Sequence, residues 1–405
     1  MILKTCIDII YLFTFSLLIN SCQKGGGGPD PVPPPAVVPD ITVLDVSQPR
    51  TATNATMRFY INANKSTTNA VSVDYSVLDG TATSPKDYVA ASGTLTIPAN
   101  QTQATVDVQI KGDPTNLRQE NLQFNFQLSN PKLCTVSTAS AKGTILTEDG
   151  TYLPTDNAGY TTPLTYPGYT LVWNDEFVGT SLDATVWNKE IGNGSGGWGN
   201  NELEYYTNSL KNTFLSNGNL IVEARKEQML GFNYTSGRMT TQNKKNFKFG
   251  RIDIRAKLPV SKGMWPALWM LGSNITTAGW PSCGEIDIME LIGTYPGKTY
   301  GTMHWKPVTG TNTSKGSEYN LSSGNYSQQF HVFSIVWVKD MIKWYVDDQL
   351  FFTGALADVG AANYPFNDNQ FFLINLAVGG NWPGPPDAST AFPQRMFVDY
   401  VRVFQ

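Results

Sequence analysis

From residue 40 onward the chain is built mostly of segments in which apolar and polar residues alternate. Met57-Arg58-Phe59-Tyr60-Ile61, Val71-Ser72-Val73-Asp74-Tyr75, Thr94-Leu95-Thr96-Ile97, Thr105 to Ile110 and Leu122 to Leu128 all repeat with period two. That spacing puts successive side chains on opposite faces of a strand. Asp79-Gly80, Pro98-Ala99-Asn100 and Asn130-Pro131 punctuate these runs as turns. Residues 40–149 therefore read as a small Ig-like β-sandwich. A second set of strand-like segments runs through residues 169–405: Asn219 to Ala224, Gly250 to Leu258, Val332 to Trp337, Met341 to Val346, Phe371 to Val378 and Phe397 to Phe404. No long helical period interrupts them. The prediction is an all-β protein, with a curved two-sheet jelly-roll sandwich over 169–405 following the smaller N-terminal one. The Thr-, Pro- and Gly-rich stretch 150–168 reads as a linker or as the lead strand of the next domain.

The first residues follow a different pattern. Lys4 precedes an apolar run from Ile7 to Ile19, broken only by Asp8, Thr14 and Ser16. The run is too short to span a bilayer and reads as a signal peptide over 1–21. It ends in Leu18-Ile19-Asn20-Ser21-Cys22, which resembles a bacterial lipoprotein signal, with Cys22 as the lipidated residue. Gly25 to Gly28 and six prolines between Pro29 and Pro39 follow. A flexible Gly run joined to a stiff Pro run makes a tether over 22–39. These features predict a protein held at the bacterial cell envelope by a lipid anchor, facing periplasm or cell surface.

Composition narrows the function. Net charge is −4 and charged residues are 15% of the chain, below the usual level of about 25%. Without cationic excess a nucleic-acid partner is excluded. All ten Trp and both His lie after residue 172, which marks a boundary between domains of different purpose. Of the four Cys, Cys6 falls in the signal, and Cys134 and Cys283 fall in different domains. No disulfide framework or zinc site follows from them.

The chemistry concentrates in Gly284-Glu285-Ile286-Asp287-Ile288-Met289-Glu290. Ile286 and Ile288 point to one side, Glu285 and Asp287 to the other, about 7 Å apart. Strict alternation would then place Met289 on the acidic face. One extra residue, a β-bulge, returns Glu290 to that face. Three acids in a row on one strand face repel each other, so such a row is rarely structural. Two carboxylates facing a cleft are what glycoside hydrolysis requires, and close like charges keep one of them protonated. An acidic calcium site or a solvated edge strand is the competing reading. Aromatic residues around the motif favour a cleft that binds sugar rings through their flat C–H faces.

Two family resemblances extend this reading. Asp79-Gly80-Thr81-Ala82, Asp87-Tyr88, Ser92 to Leu95, Leu128 to Pro131 and Gly143-Thr144-Ile145 resemble a Calx-beta domain. Its calcium-binding acids are thin here, with Asp113, Glu120, Glu148 and Asp149 remaining, so a spacer or adhesion module is the preferred role. Trp173 to Phe177, Gly197 to Thr207, Tyr234 to Arg238, Gly263 to Gly272, Gly284 to Glu290, His304-Trp305, Asn375 to Gly384 and Val398 to Val403 resemble glycoside hydrolase family 16, close to its laminarinase branch. The resemblance implies Glu285 as nucleophile, Asp287 as its assisting acid and Glu290 as general acid/base, in a double displacement with retained configuration. It implies Trp265 and Trp269 as sugar platforms, Asn200 and Arg238 on the donor side, and His304 near the acid/base Glu. Asn381 and Trp382 lie in a Gly/Pro-rich loop expected to rim the cleft, whereas His331, Trp173, Trp187, Trp337 and Trp344 are expected to be structural. A structural calcium ion is implied at Glu176, the Gly218 carbonyl and Asp399, with no cofactor for catalysis. The expected partner is β-1,3-glucan, cut by a monomer. Mixed-linkage β-1,3-1,4-glucan, another family 16 polysaccharide such as an algal galactan, and a non-catalytic glucan-binding lectin remain open.

Overall fold

The computed structural model describes residues 38–405. The signal segment, Cys22 and nearly all of the tether lie outside the described residues.

The alternating runs of the first domain form strands, several longer than their apolar pattern: Ala55–Ala63, Val71–Leu78, Ser92–Ile97, Gln103–Ile110 and Leu122–Lys132. A four-stranded and a five-stranded sheet face each other. Between them, Phe59 stacks on Phe126 at 4.5 Å and Tyr88 on Phe124 at 4.6 Å. The acids named above do not gather into a metal site: Asp113 caps its own turn at Thr115 and Leu117, and Glu148 pairs with Arg225 of the next domain.

The second domain is a two-sheet sandwich. One sheet runs, in spatial order, Asn188–Lys189, Arg238–Thr240, Gln370–Val378, Met264–Gly272, Glu285–Glu290, Lys298–Trp305 and Thr313–Asn320. The outer sheet is centred on Gln394–Phe404, Gly250–Lys257 and His331–Val338. Ile286, Met289 and Met303 from the first sheet meet Ile335, Trp337 and Trp344 from the second, all buried in one core. Trp187, Trp337 and Trp344 are core residues as expected, and Trp173 packs against the same cluster. His331 is buried, with Nδ1 2.7 Å from Asp347. Cys134 and Cys283 are free and buried. Gly301 has a packing reason: a Cβ there would lie 2.6 Å from the Trp344 ring. Trp344 needs that space, because its indole N–H donates to the Asp287 carbonyl at 2.8 Å and so fixes the acid-bearing strand from behind.

Residues 150–168 differ from a free linker, because they are fastened to the outer sheet. Phe330 bridges Gly159, the Tyr400 hydroxyl meets Thr162, Arg255 donates to the carbonyls of Asn157 and Tyr160, and Tyr166 donates to Asp253. Buried arginines lacking chain-local acceptors find them in this segment. The two domains are also bolted together directly. Arg118 of the first domain is buried against Glu223 of the second, with N–H···O distances of 3.0 and 3.1 Å, and lies over the Phe214 ring at 4.1 Å.

Candidate active site

The acid-bearing strand Glu285–Glu290 pairs with Met264–Gly272 on one side and Lys298–Trp305 on the other. Its register slips by one residue: Leu268 pairs with Met289, but Trp269 pairs with Asp287. The same slip recurs toward the other neighbour, where Asp287 faces Thr302 and Glu290 faces Tyr300. This is the expected bulge. Ile288 and Met289 are both buried, and Glu285, Asp287 and Glu290 all line one cleft of about 800 Å³.

Each acid is held differently. Glu285 accepts from the Trp280 indole N–H at 2.9 Å, and Glu290 accepts from the Trp265 indole N–H at 3.0 Å. Asp287 hydrogen-bonds neither Glu through its side chain. Its Oδ2 lies 3.2 Å from His304 Nε2. His304 sits opposite Glu285 in the ladder, 3.7 Å from that carboxylate, and its charge also acts on Glu290. Among the described residues, no Lys or Arg forms an ion pair with any of the three acids. Burial pushes Glu285 up to about 8, helped by the charge of Asp287 and opposed by His304. Burial alone takes Asp287 to about 8, and burial with the Asp287 charge takes Glu290 to about 8. Groups this close titrate as one unit. The cluster holds protons at neutral pH while the indole N–H groups and His304 favour losing some. One member can therefore be ionised for attack while another keeps a proton to donate.

The cleft walls match most of the expected sugar contacts. Trp265 and Trp269 stand on one face of their strand, as the spacing required, and both line the cleft with Asn200, Arg238, His304 and Trp382. Trp382 packs edge-on against Trp265 and Tyr300. Arg238 lies over Trp198 at 4.2 Å and Trp269 at 4.9 Å and pairs with Glu190. Asn381 does not belong to this set. Its side chain accepts from Asn201 and its backbone N–H donates to the Asn200 carbonyl, so it shapes the loop beneath Trp382. Sequence reasoning missed Trp280, Trp198, Glu202 and Asn375, which also line the cleft. Trp280 is 48% exposed beside the nucleophile. A Trp-Pro pair entering the acidic strand was the available signal for it.

The implied calcium site fits in part. Gly218 precedes Leu220, which pairs with Val398, so it neighbours Asp399 across the ladder. Both Glu176 oxygens, however, accept from Arg402 at 2.8 Å, and Asp399 Oδ2 accepts from Arg255 at 2.8 Å. The Glu176 carboxylate thus already has a cation, and only Asp399 Oδ1 and the Gly218 carbonyl keep their capacity for a metal. One group of metal-ligating type does exist, Glu285, Asp287 and His304, but it coincides with the catalytic cluster.

Comparison with known proteins gives the same picture. The profile of glycosyl hydrolases family 16 matches residues 199–402, and that of the Calx-beta domain matches residues 40–150. The glucan endo-1,3-beta-glucosidase A1 of Niallia circulans is 40% identical over 261 residues, covering 59% of this chain and 38% of that protein. The beta-glucanase of Rhodothermus marinus is 40% identical over 250 residues, covering 59% of this chain and 86% of that one. The laminarinase catalytic domain from Thermotoga maritima superimposes with a TM-score of 0.55 and 48% identity, covering 58% of this chain and 98% of that chain. The chain thus spans about two fifths of the length of the Niallia circulans relative and nearly all of a single catalytic domain.

Proposed function

Since the chain belongs to glycosyl hydrolases family 16, and its second domain is a glycoside hydrolase with endo-1,3-β-glucanase relatives, we propose that the protein cleaves internal β-1,3 bonds of glucan by double displacement with retention. The observation that carries this is the bulged strand with three acids on a tryptophan-lined cleft and, among the described residues, no Lys or Arg paired with any of them. Glu285, held by Trp280, attacks the anomeric carbon and becomes glycosylated. Glu290, held by Trp265, protonates the departing oxygen and then deprotonates the incoming water. Asp287, beside His304, keeps a negative charge off or on the cluster as the other two change state. Trp265, Trp269 and Trp382 supply faces for sugar rings and exclude water.

A glucan-binding module without catalysis needs the aromatic walls but not the buried acids. Reducing-sugar release from laminarin, run beside barley mixed-linkage glucan with the Glu285→Ala variant as control, decides between them. Release that disappears in the variant establishes the enzyme, and the ratio of the two rates establishes the linkage. Glucan binding without release establishes the module.

Three further features belong to the same proposal. The Leu18 to Cys22 segment supports a lipid anchor at Cys22 and an envelope location. A Cys22→Ser variant that still fractionates with membranes removes it. The protein acts as a monomer, which light scattering checks. The implied structural calcium ion at Glu176, the Gly218 carbonyl and Asp399 belongs to the same proposal, although Arg402 already pairs with the Glu176 carboxylate. Chelation that leaves the melting temperature unchanged removes that ion from the account.

A further inference from the structure

Glu204 is a fully buried carboxyl group that the reaction does not use. It begins the short strand Glu204–Tyr206, which pairs in parallel with Tyr234–Ser236 beneath the donor-side wall of the cleft. Its Oε2 accepts from the Val378 backbone N–H at 2.6 Å, while its Oε1 is buried with no partner. A buried acceptor left without a partner is destabilising, and Glu204 Oε1 is such an acceptor. Its neighbour is a second acid, Glu202, which lines the cleft and is 7% exposed.

The hydrogen bonds around Glu202 all run toward it. Trp269 Nε1–H donates to Asn375 Oδ1 at 2.7 Å. Asn375 Nδ2–H donates to the Tyr206 hydroxyl at 3.1 Å, and that hydroxyl donates to Glu202 Oε2 at 3.2 Å. On the other side, Asn200 Nδ2–H donates to Glu202 Oε1 at 3.1 Å. A chain of donors with one direction needs a strong acceptor at its end, and an ionised carboxylate is the strongest a side chain offers.

We propose that Glu202 and Glu204 form an acid–carboxylate pair sharing one proton, in which Glu204 Oε1–H donates to the Glu202 side chain, and that this pair fixes the orientation of Asn200 and Trp269 on the cleft wall. Glu204 and Glu202 are thus positioning residues for sugar binding. The assignment accounts for the orphaned oxygen: with a proton on it, Glu204 Oε1 is a donor facing an acceptor. Burial and the Glu202 charge both push Glu204 up, in the required direction. The other charged or titratable groups facing the pair are Tyr206 and Arg238. Burial holds Tyr206 protonated, as its donor role demands. Arg238 is already paired with Glu190, so the network retains its one negative charge.

This rests on the cleft being a glucan-binding cleft, but the proton itself can be tested without activity. In the full chain, Glu204→Gln replaces the acid O–H by an amide N–H and preserves both hydrogen bonds. The infrared spectrum at neutral pH should then lose one protonated-carboxyl band. KM for laminari-oligosaccharides should stay within about twofold of the parent, while Glu204→Leu should raise KM about tenfold with a smaller change in kcat. If the protein proves not to cut laminarin, the dissociation constant of a laminari-oligosaccharide takes the place of KM. An unchanged band in Glu204→Gln overturns the shared proton. A Glu204→Gln variant that binds sugar as poorly as Glu204→Leu overturns the positioning role. If Glu204→Leu does not fold, the band and the sugar affinity of Glu204→Gln still decide.

Discussion

Glu223 and the catalytic triplet are all shielded carboxylates, on opposite sheets of the same domain, and their surroundings drive them in opposite directions. Glu223 is fully buried and meets three guanidinium groups, from Arg118, Arg225 and Arg395. Burial pushes its carboxyl up, but the hydrogen bonds and charge of Arg118 and Arg395 outweigh that and hold it below its ordinary range. Glu285, Asp287 and Glu290 meet indole N–H groups and one imidazole, and they rise to about 8. Burial therefore does not by itself decide what a carboxylate does. Counter-charge decides: supplied, it makes a permanent anion that joins two domains, and withheld, it leaves a group whose proton can move.

The largest effect is expected from removing the acids of the triplet. Glu285→Ala and Glu290→Ala should each lower kcat on laminarin by about 10⁴-fold. Neither should lower the melting temperature, because each relieves charge crowding. Near-parental turnover in either variant would remove its assigned role. At the other site the order reverses. Glu223→Ala leaves three guanidinium groups without their shared acceptor and should cost about 3–5 kcal/mol, read as a fall in denaturant midpoint. Its effect on kcat should be small once the protein is folded.

Arg118→Ala is gentler, since Arg225 and Arg395 still neutralise Glu223. A loss of about 1–3 kcal/mol is expected, and calorimetry should resolve two unfolding transitions where the parent protein shows one. A single, unshifted transition would mean that the inter-domain contact adds nothing to stability. The smallest effect is in the pH dependence, and its sign differs between the regions. Glu223 has a lowered folded value, so its contribution is present above about 4.5 and is lost as pH falls. The triplet has raised folded values, so it binds more protons folded than unfolded. Its contribution is lost as pH rises from about 4.5 through about 8. Glu285→Gln should therefore flatten the alkaline loss of melting temperature, and Glu223→Gln the acid one.

Much of this architecture was legible in the sequence because the relevant signals are local. Period-two alternation located the five strands chosen in the first domain. The acid spacing 285, 287, 290 required a bulge that the ladder contains. Trp265 and Trp269 share a face for the same reason of periodicity. What the sequence did not disclose depends on contacts between distant segments. Arg118 and Glu223 are 105 positions apart, and neither has a neighbour in sequence that marks it as half of a buried pair. The strap 150–168 resembles a linker because its polar groups are satisfied by the outer sheet, not by each other. His304 lies opposite Glu285 because the pairing register of two strands places it there. Glu204 resembles any polar residue of an alternating strand until Val378 and Glu202 surround it.

In the proposed mechanism the three acids divide their labour, with Glu285 as the nucleophile. Incubating the full chain with an activated 2-deoxy-2-fluoro laminarioside slows release of the intermediate, and mass spectrometry of the digested protein then locates the sugar. The account predicts a single glycosyl adduct on Glu285, absent in Glu285→Ala. An adduct on Glu290 or Asp287, or turnover of the probe to product of inverted configuration with no adduct formed, would contradict it.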